Sequence, residues 1–86
     1  MKAAVMRGIR DVRIEDIPVP PVLDEEALVR IRSVGVCGSD IHYYWDGGIG
    51  TIRVTEPIIM GHEVAGTVEA VGEKVTRVRP GDRVAL

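Results

Sequence analysis

Apolar and polar residues alternate with a period of two in three stretches of this 86-residue chain. That period marks a strand with one face turned to a core. In residues 11–17, Val12 and Ile14 alternate with Arg13 and Glu15. In 27–36, Val29 and Ile31 alternate with Arg30 and Arg32. In 64–71, Val64, Gly66, Val68 and Ala70 share one face, opposite Thr67 and Glu69. Residues 2–6 supply a partner for 11–17 across a turn at Gly8, and Arg83–Leu86 starts a further strand.

Breakers separate these strands. Pro18, Pro20 and Pro21 remove three backbone donors, so 18–22 is expected to be an extended loop. Asp24-Glu25-Glu26 reads as a solvated corner, and Gly72-Glu73-Lys74 and Pro80-Gly81-Asp82 as turns. Gly35 marks a bulge or a close backbone approach. The pattern predicts one short helix over 39–46, capped by Ser39 or Asp40 and stopped by Gly47-Gly48. Residues 49–60 read as loop, with Ile58-Ile59-Met60 as a buried apolar run.

Composition supports a mainly β domain. Val and Ile supply 23 of the residues and Phe is absent, and branched side chains suit pleated surfaces better than helices. The net charge is −2, from 11 basic and 13 acidic residues. They are mixed along the chain, without the basic run that nucleic-acid binding calls for. A single cysteine makes no internal disulfide, which points to a reducing compartment. No stretch forms a signal-peptide core or a membrane span, so a cytoplasmic location is expected. The chain ends within an apolar strand, which reads as a piece of a longer protein.

The chemistry-bearing residues crowd into 36–63. This stretch holds the only cysteine (Cys37), both histidines (His42, His62) and all three aromatics (Tyr43, Tyr44, Trp45). Cys37, His62 and Glu63 are a thiolate, an imidazole and a carboxylate, the donor types zinc takes. Residue types leave two readings open, a metal site or a buried cysteine with a hydrogen-bonded histidine. Neighbouring side chains on a strand point to opposite faces. His62 and Glu63 reach one ion only if the backbone turns at Gly61; otherwise Glu63 orients a ligand from behind. Ser39 and His42, three apart, share a helix face as a hydroxyl–imidazole proton relay does, and equally as a cap and a solvated histidine do. The aromatics line a pocket or fill the core. Gly47-Gly48-Ile49-Gly50 lacks the spacing of a dinucleotide loop.

Taken jointly, Val36-Cys37-Gly38-Ser39-Asp40-Ile41-His42, Gly61-His62-Glu63 with Gly66, and Pro80-Gly81-Asp82-Arg83-Val84 resemble the zinc-dependent medium-chain alcohol dehydrogenases. His42-Tyr43-Tyr44 and Gly48-Ile49-Gly50 resemble the polyol branch of that family, the sorbitol and xylitol dehydrogenases, though threonine and butanediol dehydrogenases share much of the pattern. The resemblance implies a GroES-like, partly open β-barrel, of which residues 1–86 are an incomplete N-terminal portion. It implies catalytic zinc on Cys37, His62 and Glu63, a proton relay through Ser39 and His42, and a substrate contact at Tyr43. NAD or NADP would bind a Rossmann domain not found in these residues. The substrate implied is a small polyol or secondary alcohol and the parent enzyme is expected to be a homo-oligomer; the piece alone is expected to be inactive and to self-associate. The competing class is a GroES-like barrel that binds or assembles without metal chemistry.

Overall fold

The strands form where the alternation places them, but the apolar face expected to be half-buried is largely open: Val12 is 40%, Ile14 71% and Ile31 45% exposed. The computed structural model describes residues 1–86 and is mainly β, with open sheets and one helix. The elements are β1 (Lys2–Gly8), β2 (Asp11–Asp16), β3 (Ala27–Gly35), α1 (Gly38–Asp46), β4 (Gly48–Ile49), β5 (Ile52–Arg53), β6 (Ile58–Ile59), β7 (Glu63–Val71) and β8 (Arg83–Ala85). They group into two compact units, one of residues 1–19 with 36–61, the other of 20–35 with 62–86.

The first unit is built on a three-stranded antiparallel sheet in the order β2-β1-β6. Its central strand carries the buried residues Ala3, Val5 and Met6. The β1–β2 hairpin differs from the expected turn at Gly8. The residue with positive φ is Arg10, at 58°, a conformation that costs a side chain with Cβ more than it costs glycine. Its backbone N–H donates to the Tyr44 carbonyl at 2.7 Å, and its guanidinium stacks over the Trp45 ring, 4.7 Å from the centroid. Two contacts to the last turn of α1 thus hold the strained residue in place. On the hairpin surface, hydrogen bonds from Arg7 and Arg13 hold the Glu15 and Asp11 carboxyls below their ordinary range.

The expected loop 49–60 contains a two-residue hairpin, β4–β5, and the edge strand β6. Ile59 is 59% exposed, so 58–60 is not a buried run. These strands are too short to show a period.

In the second unit β7 lies between β3 and β8. The β3–β7 ladder runs from Ala27↔Val71 to Gly35↔Glu63, with two register shifts. One leaves Glu69 as an extra residue in β7 and the other leaves Arg32 as an extra residue in β3. The bulge expected at Gly35 therefore lies at Arg32. Gly35 is instead a place of close approach, where an added Cβ would lie 3.2 Å from Glu63 Oε2. Val68 is buried opposite Val29, and Arg30 pairs with Glu69 on the other face. The corners at 24–26 and 72–74 bond to each other, Gly72 N–H to Glu26 O and Lys74 N–H to Asp24 O, both at 2.8 Å. The turn at 79–82 is tied to β7 in both directions, through Gly81 N–H to Val68 O and Val68 N–H to Asp82 O. As expected, no regular element forms over 17–23.

Gly66 is the tightest point of the β3–β7 pair: a Cβ there would stand 2.2 Å from the Arg30 carbonyl oxygen. Backbone cannot yield as a flexible side chain does. Gly66→Ala is expected to destabilise the chain by about 3 kcal/mol or prevent folding. Gly8→Ala, where an added Cβ meets nothing within 4 Å, should stay within about 1 kcal/mol of the parent. Urea unfolding of the two variants checks the contrast.

Candidate metal centre

The end of the β3–β7 ladder and the start of α1 supply the donors. Gly35 pairs with Glu63, the first residue of β7. Two residues beyond Gly35 the chain reaches Cys37, and His62 immediately precedes Glu63. The backbone turns at Gly61, whose φ is 98°, as sharing of one ion by His62 and Glu63 requires. Cys37, His62 and Glu63 each offer a ligand atom, and these atoms lie within 4.8 Å of one another. Cys37 is half-buried; His62 and Glu63 are exposed.

The donor set fits zinc chemically. Bonds of about 2.0–2.3 Å in a tetrahedron imply donor separations of roughly 3.4–3.8 Å. Three protein donors would leave a fourth position for a small molecule, the arrangement that separates catalytic zinc from structural zinc.

Cys37 holds its position through the helix start. It is the N-cap of α1, with extended backbone (φ −96°, ψ 156°). The Asp40 carboxylate reaches back to accept the Cys37 backbone N–H at 3.0 Å, the reciprocal half of a capping box. This differs from the expected cap at Ser39 or Asp40: Ser39 is the second residue of the helix, and Asp40 supports the cap from the third. An anionic donor at Cys37 also sits at the positive end of the helix dipole.

Ser39 and His42 lie one turn apart on α1; Ser39 is half-buried and His42 exposed. Tyr43 and Tyr44 are half-buried and Trp45 is 52% exposed, so core filling describes none of the three aromatics. Tyr44 and Trp45 meet edge to face at 5.6 Å. Helix α1 ends at Gly47, with φ 72° and its N–H on the Tyr43 carbonyl. A Cβ at Gly47 would lie 2.9 Å from Ile9, so the stop is set by conformation and by the neighbouring hairpin together.

Two contributors escaped the sequence reading. Asp46 places its carboxylate 3.4 Å from His42 Nδ1, a partner that the i, i+4 spacing could have flagged. Arg10 packs against Trp45, and no local pattern announces that contact.

The sequence pattern of the alcohol dehydrogenase GroES-like domain matches residues 23–86. The sorbitol dehydrogenase of Bacillus subtilis (strain 168) is 50% identical over 86 residues, which are all of this chain and 24% of that protein. The sorbitol dehydrogenase of Bombyx mori is 54% identical over 84 residues, 98% of this chain and 24% of that one. Among solved structures, galactitol-1-phosphate dehydrogenase from Escherichia coli superposes with a TM-score of 0.88 at 36% identity, over 99% of this chain and 24% of that one. The 2R,3R-butanediol dehydrogenase from Bacillus subtilis gives 0.87 at 37% identity, over 98% of this chain and 26% of that one. The chain spans about a quarter of the length of the curated relatives it matches.

Loss of the Asp40 carboxylate should loosen the helix start. Asp40→Ala is expected to cost about 1 kcal/mol of stability, and amide exchange should rise at Cys37 and the first turn of α1 more than in β1 or β7. Hydrogen exchange read residue by residue checks both the size and the place of the effect.

Proposed function

This chain belongs to the alcohol dehydrogenase GroES-like domain family, and we propose that it carries the metal-holding and proton-handling part of a zinc-dependent, NAD(P)-linked polyol dehydrogenase. The observation that carries the reading is the convergence of the Cys37, His62 and Glu63 donors within 4.8 Å. Likeness to sorbitol, butanediol and galactitol-1-phosphate dehydrogenases favours a small polyol or secondary alcohol as substrate.

Cys37, His62 and Glu63 would hold the ion, with Glu63 either a direct donor or the group that balances charge behind the other two. Zinc bound there supplies Lewis acidity toward an alcohol oxygen. Ser39 takes the hydroxyl proton and His42 hands it on to water, while Tyr43 contacts the substrate. Hydride acceptance falls to NAD or NADP. Residues 1–86 contain no strand, glycine-rich turn and helix of the dinucleotide-binding kind, so the cofactor platform is assigned to sequence outside them. A cytoplasmic setting suits a thiolate ligand kept reduced. No helix is long and apolar enough to cross a membrane.

Zinc titration of the 86-residue chain at neutral pH tests the site. The parent should bind one ion and Cys37→Ser should bind it at least tenfold more weakly. Affinity should fall on acidification, because protons compete for all three donors. The loaded chain should show no NAD-dependent oxidation of sorbitol or xylitol. Equal affinities in the two proteins would favour a GroES-like binding module without metal chemistry.

The surface supports association as well. The accessible area is 6556 Å², against about 5,000 Å² expected for a folded chain of this mass. Only Ala3, Val5, Met6 and Val68 are buried apolar residues, while Ile14, Val36, Leu23 and Leu86 are each at least 60% exposed. β2, β3, β6 and β8 are sheet edges. Self-association of the chain follows from this reading. Sedimentation velocity should show a mass that rises with concentration, and a single monomer over a hundredfold range would count against it.

A further inference from the structure

We propose that Asp46 is a positioning residue that biases the tautomer of His42 toward Nδ1–H; the functional sense of this rests on the relay reading given above. The two side chains stand one turn apart on α1, with His42 Nδ1 and Asp46 Oδ2 separated by 3.4 Å. A carboxylate oxygen accepts, so this contact favours the tautomer in which Nδ1 carries the proton. The neutral ring then carries its lone pair on Nε2, the nitrogen left to take up a proton.

Helix formation gives no reason for an acid at this place. Asp46 is the last residue of α1, where the partial negative charge of the helix end disfavours a carboxylate, and no basic residue stands in that last turn. A residue that works against its own helix while meeting an imidazole is a local conflict of the kind found at functional positions. Its backbone is also held on both sides. Arg53 donates from Nη1 to the Asp46 carbonyl at 3.1 Å, and Arg53 is itself paired with Gly48 in the β4–β5 hairpin. The Gly47 N–H closes on Tyr43 O at 3.0 Å, and the Arg10 N–H closes on Tyr44 O at 2.7 Å. Asp46 therefore presents its carboxylate to His42 from a helix end that three separate hydrogen bonds restrain. Arrangements of this type, with an acid orienting the ring from Nδ1, set which nitrogen of a histidine does the chemistry.

The test reads the tautomer directly. Long-range ¹H–¹⁵N correlation of the labelled chain, at a pH where the ring is neutral, reports Nδ1–H against Nε2–H for each histidine, and His42→Gln assigns the signals. Asp46→Ala should lower the Nδ1–H to Nε2–H ratio of His42 about twofold, the effect expected of one i, i+4 pair. The His62 signals and the backbone amide pattern should not change, and Asp46→Glu should restore part of the ratio. An equal ratio in the parent and in Asp46→Ala, or one that falls only because the amide pattern collapses in every Asp46 variant, overturns the proposal. The relay reading is tested apart from it, by the pH–rate profile of a dehydrogenase containing this segment with His42→Gln. An unchanged profile beside a shifted tautomer removes the relay and leaves the positioning intact.

Discussion

The pairing of β3 with β7 is the constraint on which the candidate site depends. These two strands form the longest ladder in the chain, and their last pair is Gly35 with Glu63. The donors follow from that one pairing by covalent adjacency, Cys37 two residues after Gly35 and His62 one residue before Glu63. Glycine sets the geometry twice. Gly66 lets the Arg30 carbonyl approach where any side chain would collide, and Gly35 makes room for the Glu63 side chain across the pair. A register slip of one residue would reverse every side chain of β7. Glu63 and Val68 would exchange faces with their neighbours, and core and site would be lost together.

The candidate site leans on this ladder, while three of the four buried apolar residues, Ala3, Val5 and Met6, lie on β1 in the other unit. Four buried apolar side chains and no buried polar ones make a small core. Hydrogen bonding supplies much of the remaining order: the capping of Cys37 by Asp40, the corner-to-corner bonds between 24–26 and 72–74, and the ties of Val68 to the 79–82 turn. The ion pairs are mostly on the surface and contribute little individually. Arg10 shows the cost of such an economy. A strained backbone at the hairpin tip persists because the Tyr44 carbonyl and the Trp45 ring both need that residue where it is.

What the sequence disclosed, and what it hid, divides by the range of the interactions involved. Strands β1, β2, β3, β7 and β8 and the C-terminal limit of α1 were legible because a period of two, or a glycine after a helix, is a local signal. β4, β5 and β6 were not, since two residues carry no period and exist as strands only through their partners. Of the two readings of Gly35, bulge or close approach, the close approach holds, and the bulge falls at Arg32, where the register of β3 against β7 decides it. Ser39 or Asp40 looked like the cap because cap preferences favour hydroxyls and carboxylates, yet the cap is Cys37, with Asp40 reaching back from the third helical position. Cys37, His62 and Glu63 were each ambiguous by type, and 25 residues separate the first two. The shared vicinity of these three donors is a property of the ladder, visible once Gly35 and Glu63 are known to pair.

Metal binding at the candidate site would have a second role beside chemistry. Thiolate, imidazole and carboxylate have no fixed relation in the unfolded chain, so an ion that they hold in common favours the register that gathers them. Zinc at this position would act as a clasp on the open end of β3 and β7, at the point where the ladder gives way to Val36 and Gly61. Acidification would loosen that clasp first at the ligands and only then in the strands, because the donors must bind protons before the backbone pairing feels the loss. The exposed apolar residues act in the opposite sense, since they favour any partner that covers them. The folded chain would then balance two demands, a metal site that rewards one register and exposed apolar residues that favour cover.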